Sequence, residues 1–302
     1  MLLAAAAFAM APVIAAHAEG TLRVCLDESS PYANHEGKAG GGFDVAVAQA
    51  IAKRLGRTLE VQWFETEVDN DNSPVTQQNA LLSDGRCQLI GGYTLVRDGL
   101  GKPGVATARP PSYEGMKPGD RRRYVPLGTV VAGRAYHFAP ITVLLGPGAA
   151  DRKIGGIADL QGLKIGSEQT TVADTVLMNY SGGKYVDQIT HVIPGRNELL
   201  PKLDQGEYDA VMVPLSRFDK YRAEHPATKI KPSGYYYRIG FNMGFVALST
   251  EQTLLDQVNA AVGDMLAGNE LAKLAQATGV TFVPPRQPEV LERISITEFY
   301  RD

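Results

Sequence analysis

The sequence predicts an α/β protein with two lobes, each a mostly parallel sheet flanked by helices. Short apolar runs typical of strands alternate with patterns typical of amphipathic helices, first in residues 22–91 and again in residues 141–248. The chain has 302 residues, enough for two domains at roughly 150 residues each. Such alternation implies parallel strands joined by right-handed crossovers, with the connecting helices on the faces of the sheet.

The first eighteen residues are predicted to be a signal peptide. An apolar, alanine-rich run ends in Ala16-His17-Ala18, which has the A-x-A pattern of a cleavage site, although no basic residue precedes the run. The alternative is a membrane anchor, but the run contains Pro12 and is shorter than the roughly 20 residues of a spanning helix. We therefore expect a periplasmic protein without a membrane span.

The first unit begins with a predicted strand over residues 22–26. A loop follows, and apolar residues then recur at helical spacing until Gly56. The next predicted elements are a strand over residues 59–64, a helix over 74–83 and a strand over 87–91. Ser73 is the predicted N-cap of that helix and Pro74 its first residue. In such sheets ligands bind at the carboxyl ends of the strands.

Residues 98–135 interrupt the alternation. They contain seven glycines and five prolines, so we predict one long loop or a loosely folded insertion. Seven basic residues against three acidic ones give this segment a net charge of +4 and leave −7 for the rest of the chain. One interpretation is docking onto an acidic protein surface, with Arg121, Arg122 and Arg123 as the candidate residues. The other is a solvated loop with scattered charge.

The second unit repeats the alternation of strands and helices. Its predicted strands are residues 141–145, 163–166, 189–193, 209–213, 235–239 and 245–248. Its predicted helices are a turn over 157–160 and helices over 172–178, 197–206 and 215–223. Asn197 is the predicted cap of the helix over residues 197–206. Thr250 is the predicted cap of the most strongly amphipathic helix in the chain. A last helix over residues 269–278 precedes a tail expected to wrap back over a lobe.

Cys25 and Cys87 are the only cysteines, and we predict that they form a disulfide. Their number is even, export permits disulfides, and each lies at the edge of a strand-like run. The alternative of two buried free thiols stays open. A redox-catalytic pair is not expected because the sequence has no Cys-x-x-Cys motif.

Charge and motifs exclude several function classes. The 30 Lys and Arg residues nearly balance 33 Asp and Glu residues, which is atypical of a nucleic-acid-binding protein. The signature motifs of serine hydrolases, P-loop proteins, dinucleotide-binding proteins and zinc proteases are absent. Asp69, Asp71 and Asn72 form half of a calcium loop but lack its glycine and terminal glutamate, so a polar turn is expected. We predict no metal site and no cofactor.

These segments resemble the family 3 periplasmic solute-binding proteins, which bind amino acids and have the type II periplasmic fold. The resemblance is carried by Leu22-Arg23-Val24 with Asp27, Pro31-Tyr32 and Gly42-Phe43-Asp44-Val45, by Ala80-Leu81, Leu89-Ile90-Gly91-Gly92 and Thr94, by Asp159-Leu160, Ile165-Gly166 and Thr170-Thr171, and by Tyr208-Asp209-Ala210-Val211. It implies two lobes joined by a two-strand hinge that closes around a ligand. Lobe 1 would comprise residues 19–138 and 244–302, with the insertion 98–135, and lobe 2 residues 139–243.

The resemblance also implies which residues line the cleft: Asp27, Tyr32, Thr94, Arg97, Thr170 and Thr171. The two threonines begin a predicted helix, whose free N–H groups favour a carboxylate, and Arg97 would clamp one. Two departures from the family bear on the ligand. Gly99 and Leu100 stand where its arginine lies, and Pro214 stands where its acidic residue binds an α-amino group. Because an unpaired ammonium in a closed cleft is costly, the sequence disfavours free amino acids as ligands.

A closer resemblance is to the periplasmic J proteins (XoxJ and MxaJ) that accompany PQQ-dependent methanol dehydrogenases. It is carried by the paired Cys25 and Cys87, the altered clamp and the enlarged loop. It implies a monomer that helps activate or mature a lanthanide-type PQQ methanol dehydrogenase. The alternative is a receptor that delivers a small anionic or neutral metabolite to an ABC transporter. A dehydratase on this fold would need an acid in the cleft, for which Asp27 and Glu168 are the candidates, and we do not expect an enzyme.

Overall fold

The computed structural model describes residues 20–35, 40–67, 73–120 and 123–292. The predicted signal peptide, the acidic turn at Asp69, Asp71 and Asn72, and two of the candidate docking residues, Arg121 and Arg122, lie outside the described residues.

The first unit has the predicted order of elements. Strand β1 (Thr21–Asp27) leads through a loop to helix α1 (Phe43–Arg54), and strand β2 (Thr58–Glu65), helix α2 (Pro74–Ser83) and strand β3 (Leu89–Thr94) follow. Ser73 caps α2 by accepting a hydrogen bond from the Thr76 N–H, and Pro74 is the first residue of the helix, as predicted.

The segment after β3 is mostly irregular, as predicted, but it is anchored to the first unit. Strands β4 (Thr107–Ala108) and β6 (Val125–Pro126) pair with each other, and β5 (Ser112–Tyr113) pairs with β2. Ala108 and Val125 are buried against α2. The predicted loose folding is therefore wrong for this segment. Two-residue strands are too short to show a hydrophobic period, which is why the sequence did not indicate them.

Two long strands join the two halves of the structure. Strand β7 (Val130–Leu145) has 16 residues and includes the last six residues of the predicted insertion, whose assignment to a loop is wrong. After strands β8 (Ile165–Glu168), β9 (Ile189–Val192) and β10 (Ala210–Pro214), strand β11 (Lys231–Leu248) has 18 residues and replaces two predicted strands. Glycines and polar residues break the apolar pattern of both long strands, and several register shifts interrupt their pairing.

The nine main strands form one sheet in the order β5-β2-β1-β3-β11-β7-β10-β8-β9. Each half is parallel, as predicted: β1 pairs with β2 and β3 on one side, and β8 pairs with β9 and β10 on the other. Antiparallel pairing occurs where β7 and β11 run beside each other and join the two halves, and at the edge strand β5.

Helices cover both halves of the sheet. The second half carries α3 (Val172–Asn179), α4 (Leu199–Asp204) and α5 (Leu215–Glu224), and the chain returns to the first half with α6 (Gln252–Ala267) and α7 (Glu270–Ala277). Two predicted caps are wrong: Glu198 precedes α4 in place of Asn197, and Glu251 precedes α6 because Thr250 belongs to a short 3-10 turn. Buried side chains of α1, α6 and α7 pack into one core with β1.

The predicted disulfide is confirmed. The sulfur atoms of Cys25 and Cys87 are 1.99 Å apart and their Cα atoms 5.6 Å, within the usual geometry. The bond links Cys25 in β1 to Cys87, which lies just before the neighbouring strand β3, and both residues are buried. No helix in the described part of the chain is long and apolar enough to cross a bilayer.

Candidate functional site

A cavity of about 320 Å³ lies at the carboxyl ends of β1 and β3. This is the end of a parallel sheet at which ligands bind. The structure brings two of the predicted cleft residues, Asp27 and Thr94, together in its wall. The other lining residues are Ser29, Ser30, Pro31, Thr66, Pro74, Val75, Gln78, Gly91, Gly92, Tyr93 and Met243.

Asp27 is the last residue of β1 and supplies the only charge among the described lining residues. One carboxylate oxygen accepts hydrogen bonds from the Ser29 N–H at 2.9 Å and the Ser29 hydroxyl at 2.7 Å. The other accepts a hydrogen bond from the Thr66 hydroxyl. These donors fix the orientation of the carboxylate at the cavity wall and leave it lone pairs for a further donor.

The rest of the wall combines hydroxyl and amide groups with apolar surface. Thr94 is exposed at the end of β3, and its hydroxyl lies 3.8 Å from the sulfur of Met243, which belongs to the long strand β11. Gln78 and Thr66 add polar groups, whereas Val75 contributes apolar surface. A small solute with a few hydroxyl or ammonium groups on an apolar frame matches this lining.

A buried carboxylate lies directly behind the cavity wall. Asp44 is 1% exposed, and it accepts hydrogen bonds from the Tyr136 hydroxyl at 2.7 Å and the Ser30 hydroxyl at 3.2 Å. The Tyr136 oxygen in turn accepts one from the Gly92 N–H at 2.7 Å. Burial raises the pKa of Asp44 to about 6, and its two hydrogen bonds oppose that rise.

A glycine is required at position 92, where the backbone packs against the Asp44 carboxylate. Its φ is +64°, and a Cβ there would lie 2.7 Å from an Asp44 carboxylate oxygen. In the sequence, Asp44 stands out only as part of the family motif Gly42-Phe43-Asp44-Val45, which gives it no role. A signal was present, because Asp44 shares the helical stripe of Val47 and Ile51, where an apolar residue is expected.

Tyr32 is placed away from the cavity lining. It is 4% exposed, its ring meets the His137 ring edge-on with centroids 4.9 Å apart, and its hydroxyl lies near Ser216 at the start of α5. Burial raises the pKa of Tyr32, so the hydroxyl stays neutral. Tyr32 therefore connects the loop after β1 to the second half of the structure.

Arg97 lies just beyond Thr94 and is engaged by the tail of the chain. Its guanidinium forms an exposed ion pair with Glu292 at 2.8 Å, and the backbone N–H of Arg97 donates to the Leu291 carbonyl. It is not among the residues that line the cavity. The described part of the tail wraps over the first half, as predicted, where the Asn242 amide donates to carbonyls of residues 286, 288 and 289.

Thr170 and Thr171 lie in the second half, at the start of α3. Thr171 caps the helix by accepting a hydrogen bond from the Asp174 N–H at 3.1 Å. The Asp174 carboxylate accepts from the Thr170 N–H at 3.2 Å and lies 2.9 Å from His191. The chain's own carboxylate thus takes one of the N–H groups that the sequence analysis assigned to a ligand.

Glu168, the second candidate for an acid in the cleft, has its negative charge balanced by an arginine of the same chain. It ends β8, where it pairs with Arg217 of α5 and accepts a hydrogen bond from the Gly195 N–H at 3.1 Å.

Pro214 is the last residue of β10 and is exposed. Of the candidate docking residues, Arg123 is described, and it pairs with Asp84 after α2. No cluster of three or more potential metal ligands occurs in the described residues.

Comparisons with known proteins address the fold. No family model and no curated protein matches the sequence. Solved structures match over most of the chain: the L-cystine solute receptor of Neisseria gonorrhoeae in its unliganded open conformation is 18% identical, with a TM-score of 0.60, over 88% of this chain and 96% of that one. The fold is that of the type II periplasmic binding proteins. At this identity the likeness shows the fold and leaves the ligand open.

Two further matches have the same fold. The second substrate-binding domain of Lactococcus lactis GlnP, in its open conformation, is 16% identical with a TM-score of 0.58, over 85% of this chain and 94% of that one. An ancestral cyclohexadienyl dehydratase is 16% identical with a TM-score of 0.53, over 86% and 92% of the two chains. Two of these three matches are thus named as binding proteins, and the disulfide is typical of proteins in oxidising compartments.

Proposed function

We propose that the protein is a periplasmic solute receptor that delivers a small neutral or cationic metabolite to an ABC transporter. The observation that carries this proposal is the cavity at the ends of β1 and β3, with the oriented Asp27 carboxylate in its wall. A concave site with a few fixed polar groups is typical of small-molecule binding.

The charge of the wall supports the ligand class. Asp27 is the only charged residue among the described lining residues, and Arg97 is paired with Glu292 outside the cavity. A ligand carboxylate beside Asp27 would be repelled, whereas a hydroxyl or ammonium group would donate to it. The proposed class therefore keeps the neutral solute of the sequence-based expectation and replaces its anionic solute with a cationic one.

The proposed lobes are residues 19–138 with 244–302 and residues 139–243, with β7 and β11 as the hinge. In this arrangement the wall at Asp27 and Thr94 belongs to lobe 1, and Thr170 and Thr171 lie on lobe 2. Closure about the hinge would bring the second wall over a bound solute, a common mechanism for two-lobed binding proteins.

A substitution at Asp27 tests this function. Asp27→Ala removes one charge-assisted hydrogen bond, which contributes about 1.5–3 kcal/mol, so the dissociation constant of a bound solute should rise roughly ten- to hundredfold. Polyols, amines, amino acids and dicarboxylates would be screened by thermal shift, and the strongest binder titrated by calorimetry. Asp151→Ala is the matched control, since the Asp151 side chain is 100% exposed. Failure of every neutral or cationic compound to bind would refute the proposal.

A second candidate function is that of a partner of a PQQ methanol dehydrogenase, as the J-protein resemblance implies, with the insertion as the docking surface. The insertion exposes Val105 and Tyr124, which are 50% and 54% exposed, and the Arg109 guanidinium lies over the Tyr124 ring at 5.6 Å from its centroid. Exposed aromatic and arginine side chains are enriched at protein interfaces. No comparison points to a dehydrogenase, so this candidate depends on the insertion alone.

The two candidates differ in the effect of Tyr124→Ala. If the insertion docks a dehydrogenase, this change should weaken the complex at least about tenfold, as expected for an aromatic anchor worth roughly 2 kcal/mol. Ile193→Ala is the control, because Ile193 is similarly exposed, at 53%, in the second half. Absence of any complex with the purified dehydrogenase, measured by surface plasmon resonance, would eliminate this candidate.

A further inference from the structure

Asp44 holds two residues of the cavity wall from behind. The Ser30 hydroxyl donates directly to one carboxylate oxygen of Asp44. Gly92 reaches the other oxygen through Tyr136, whose hydroxyl accepts from the Gly92 N–H and donates to Asp44. Ser30 and Gly92 both line the cavity, whereas Asp44 is buried behind them.

An ionised carboxylate fits this geometry. Two oxygens that both accept hydrogen bonds satisfy Ser30 and Tyr136 at once, whereas a protonated carboxyl group has to donate through one of its oxygens. The Ser30 oxygen also accepts from the Tyr32 N–H at 3.2 Å, so it has one further lone pair for a protonated Asp44, and its own hydrogen would then have to turn away from the carboxylate. Protonation therefore forces a rearrangement of at least one of the two wall contacts.

We propose that Asp44 is a positioning residue of the solute site, and that its protonation rearranges the Ser30 and Gly92 wall and weakens solute binding. This inference rests on the proposed receptor function for its consequence in binding. The rearrangement itself is a property of the solute-free protein and is testable without a solute.

Among the described residues around this carboxylate, Asp44 is the group that titrates near neutral pH. Burial raises its pKa to about 6. Tyr136 of β7 and Tyr32 of the loop after β1 have pKa values raised by burial and remain neutral. His137, next to Tyr136, has its pKa lowered by burial to about 4. Asp219 of α5 lies in the second half, and its negative charge contributes to raising the pKa of Tyr32.

The first test follows the Gly92 amide by NMR in the solute-free protein. In the wild type its chemical shift should titrate with a midpoint near pH 6, the pKa of Asp44. The titration should disappear in Asp44→Asn and become smaller in Tyr136→Phe, which removes the connecting hydroxyl but keeps the Asp44 carboxylate against Gly92. A Gly92 amide that does not titrate in the wild type overturns the inference, whether or not a solute is known.

The second test measures the dissociation constant of the strongest binder from the solute screen between about pH 5 and pH 7.5. Binding that lowers the pKa of Asp44 by one unit would weaken affinity by up to about tenfold on acidification. The affinity should be independent of pH in Asp44→Asn and unchanged in the control Asp151→Asn. A wild-type affinity that does not depend on pH contradicts the inference although the receptor function stands, whereas failure of all solutes refutes the receptor function alone.

Discussion

Removing the disulfide is expected to lower the free energy of unfolding by about 4 kcal/mol, the value for a closed loop of this length on the chain-entropy model. Cys25 and Cys87 are separated by 62 residues, so the bond closes a long loop that contains α1, β2 and α2. Without it, the unfolded chain regains the entropy of that loop, whereas the native pairing of β1 with β3 is retained.

Denaturant titrations of the wild type and the Cys25→Ser/Cys87→Ser variant measure this loss. The reduced wild type should match the variant to within about 1 kcal/mol, because both lack the same cross-link. A third titration of the variant with reductant controls for effects of the reductant itself. A midpoint that is the same for the oxidised wild type and the variant would contradict a stabilising disulfide.

The second large effect is a pair of opposing pH dependences at Asp44 and His137. Burial raises the pKa of Asp44 to about 6 from 3.8. The folded state therefore binds a proton more tightly than the unfolded state, and the contribution of Asp44 to stability is present below pH 3.8 and lost as the pH rises through 6. The difference amounts to about 3 kcal/mol at 1.36 kcal/mol per pKa unit.

His137 has the opposite sign. It is 1% exposed among the rings of Tyr32, Phe43 and Phe282, and burial lowers its pKa to about 4 from 6.5. Its contribution is therefore present above pH 6.5 and lost as the pH falls through 4. The pH-dependent contribution of His137 to the free energy of unfolding is again about 3 kcal/mol. The contributions of Asp44 and His137 therefore change in opposite directions and nearly cancel in the wild type between pH 6 and pH 4.

Variants at the two positions separate these contributions. Relative to the wild type, Asp44→Asn should lose about 3 kcal/mol of stability on acidification from about pH 6.5 to pH 4, because only the His137 dependence remains. His137→Phe should gain a similar amount over the same interval. Comparing changes with pH, and not absolute stabilities, removes any packing cost of the substitutions. Variants whose pH dependence is parallel to that of the wild type would contradict both assignments.

The elements that the sequence predicted are those with an uninterrupted hydrophobic period. The apolar run of β1 and the stripe of α1 survive in the fold, and Ser73 with Pro74 placed the start of α2 correctly. The long strands β7 and β11 were underestimated, because they pass between the two halves and contain glycine and polar residues at the crossing. Their burial depends on neighbouring strands, which a local pattern does not reveal.

The candidate site was predictable where it depends on strand ends. The family resemblance names Asp27 and Thr94, and these residues end neighbouring parallel strands, so the topology brings them to one edge. The role of Asp44 depends on Tyr136, which is 92 residues away in sequence, and Arg97 is paired with a glutamate 195 residues away. Contacts over such distances depend on the completed fold, so no spacing in the sequence indicates them.

The most direct test of the receptor function is native mass spectrometry of the protein isolated gently from the cells that produce it. We expect a mass excess equal to one small molecule that fits the cavity of about 320 Å³, absent from Asp27→Ala prepared in the same way. Isolation without a small molecule but in a stable complex with a dehydrogenase-sized subunit would contradict it. That result would make the insertion, with Tyr124 exposed on it, the functional surface of the protein.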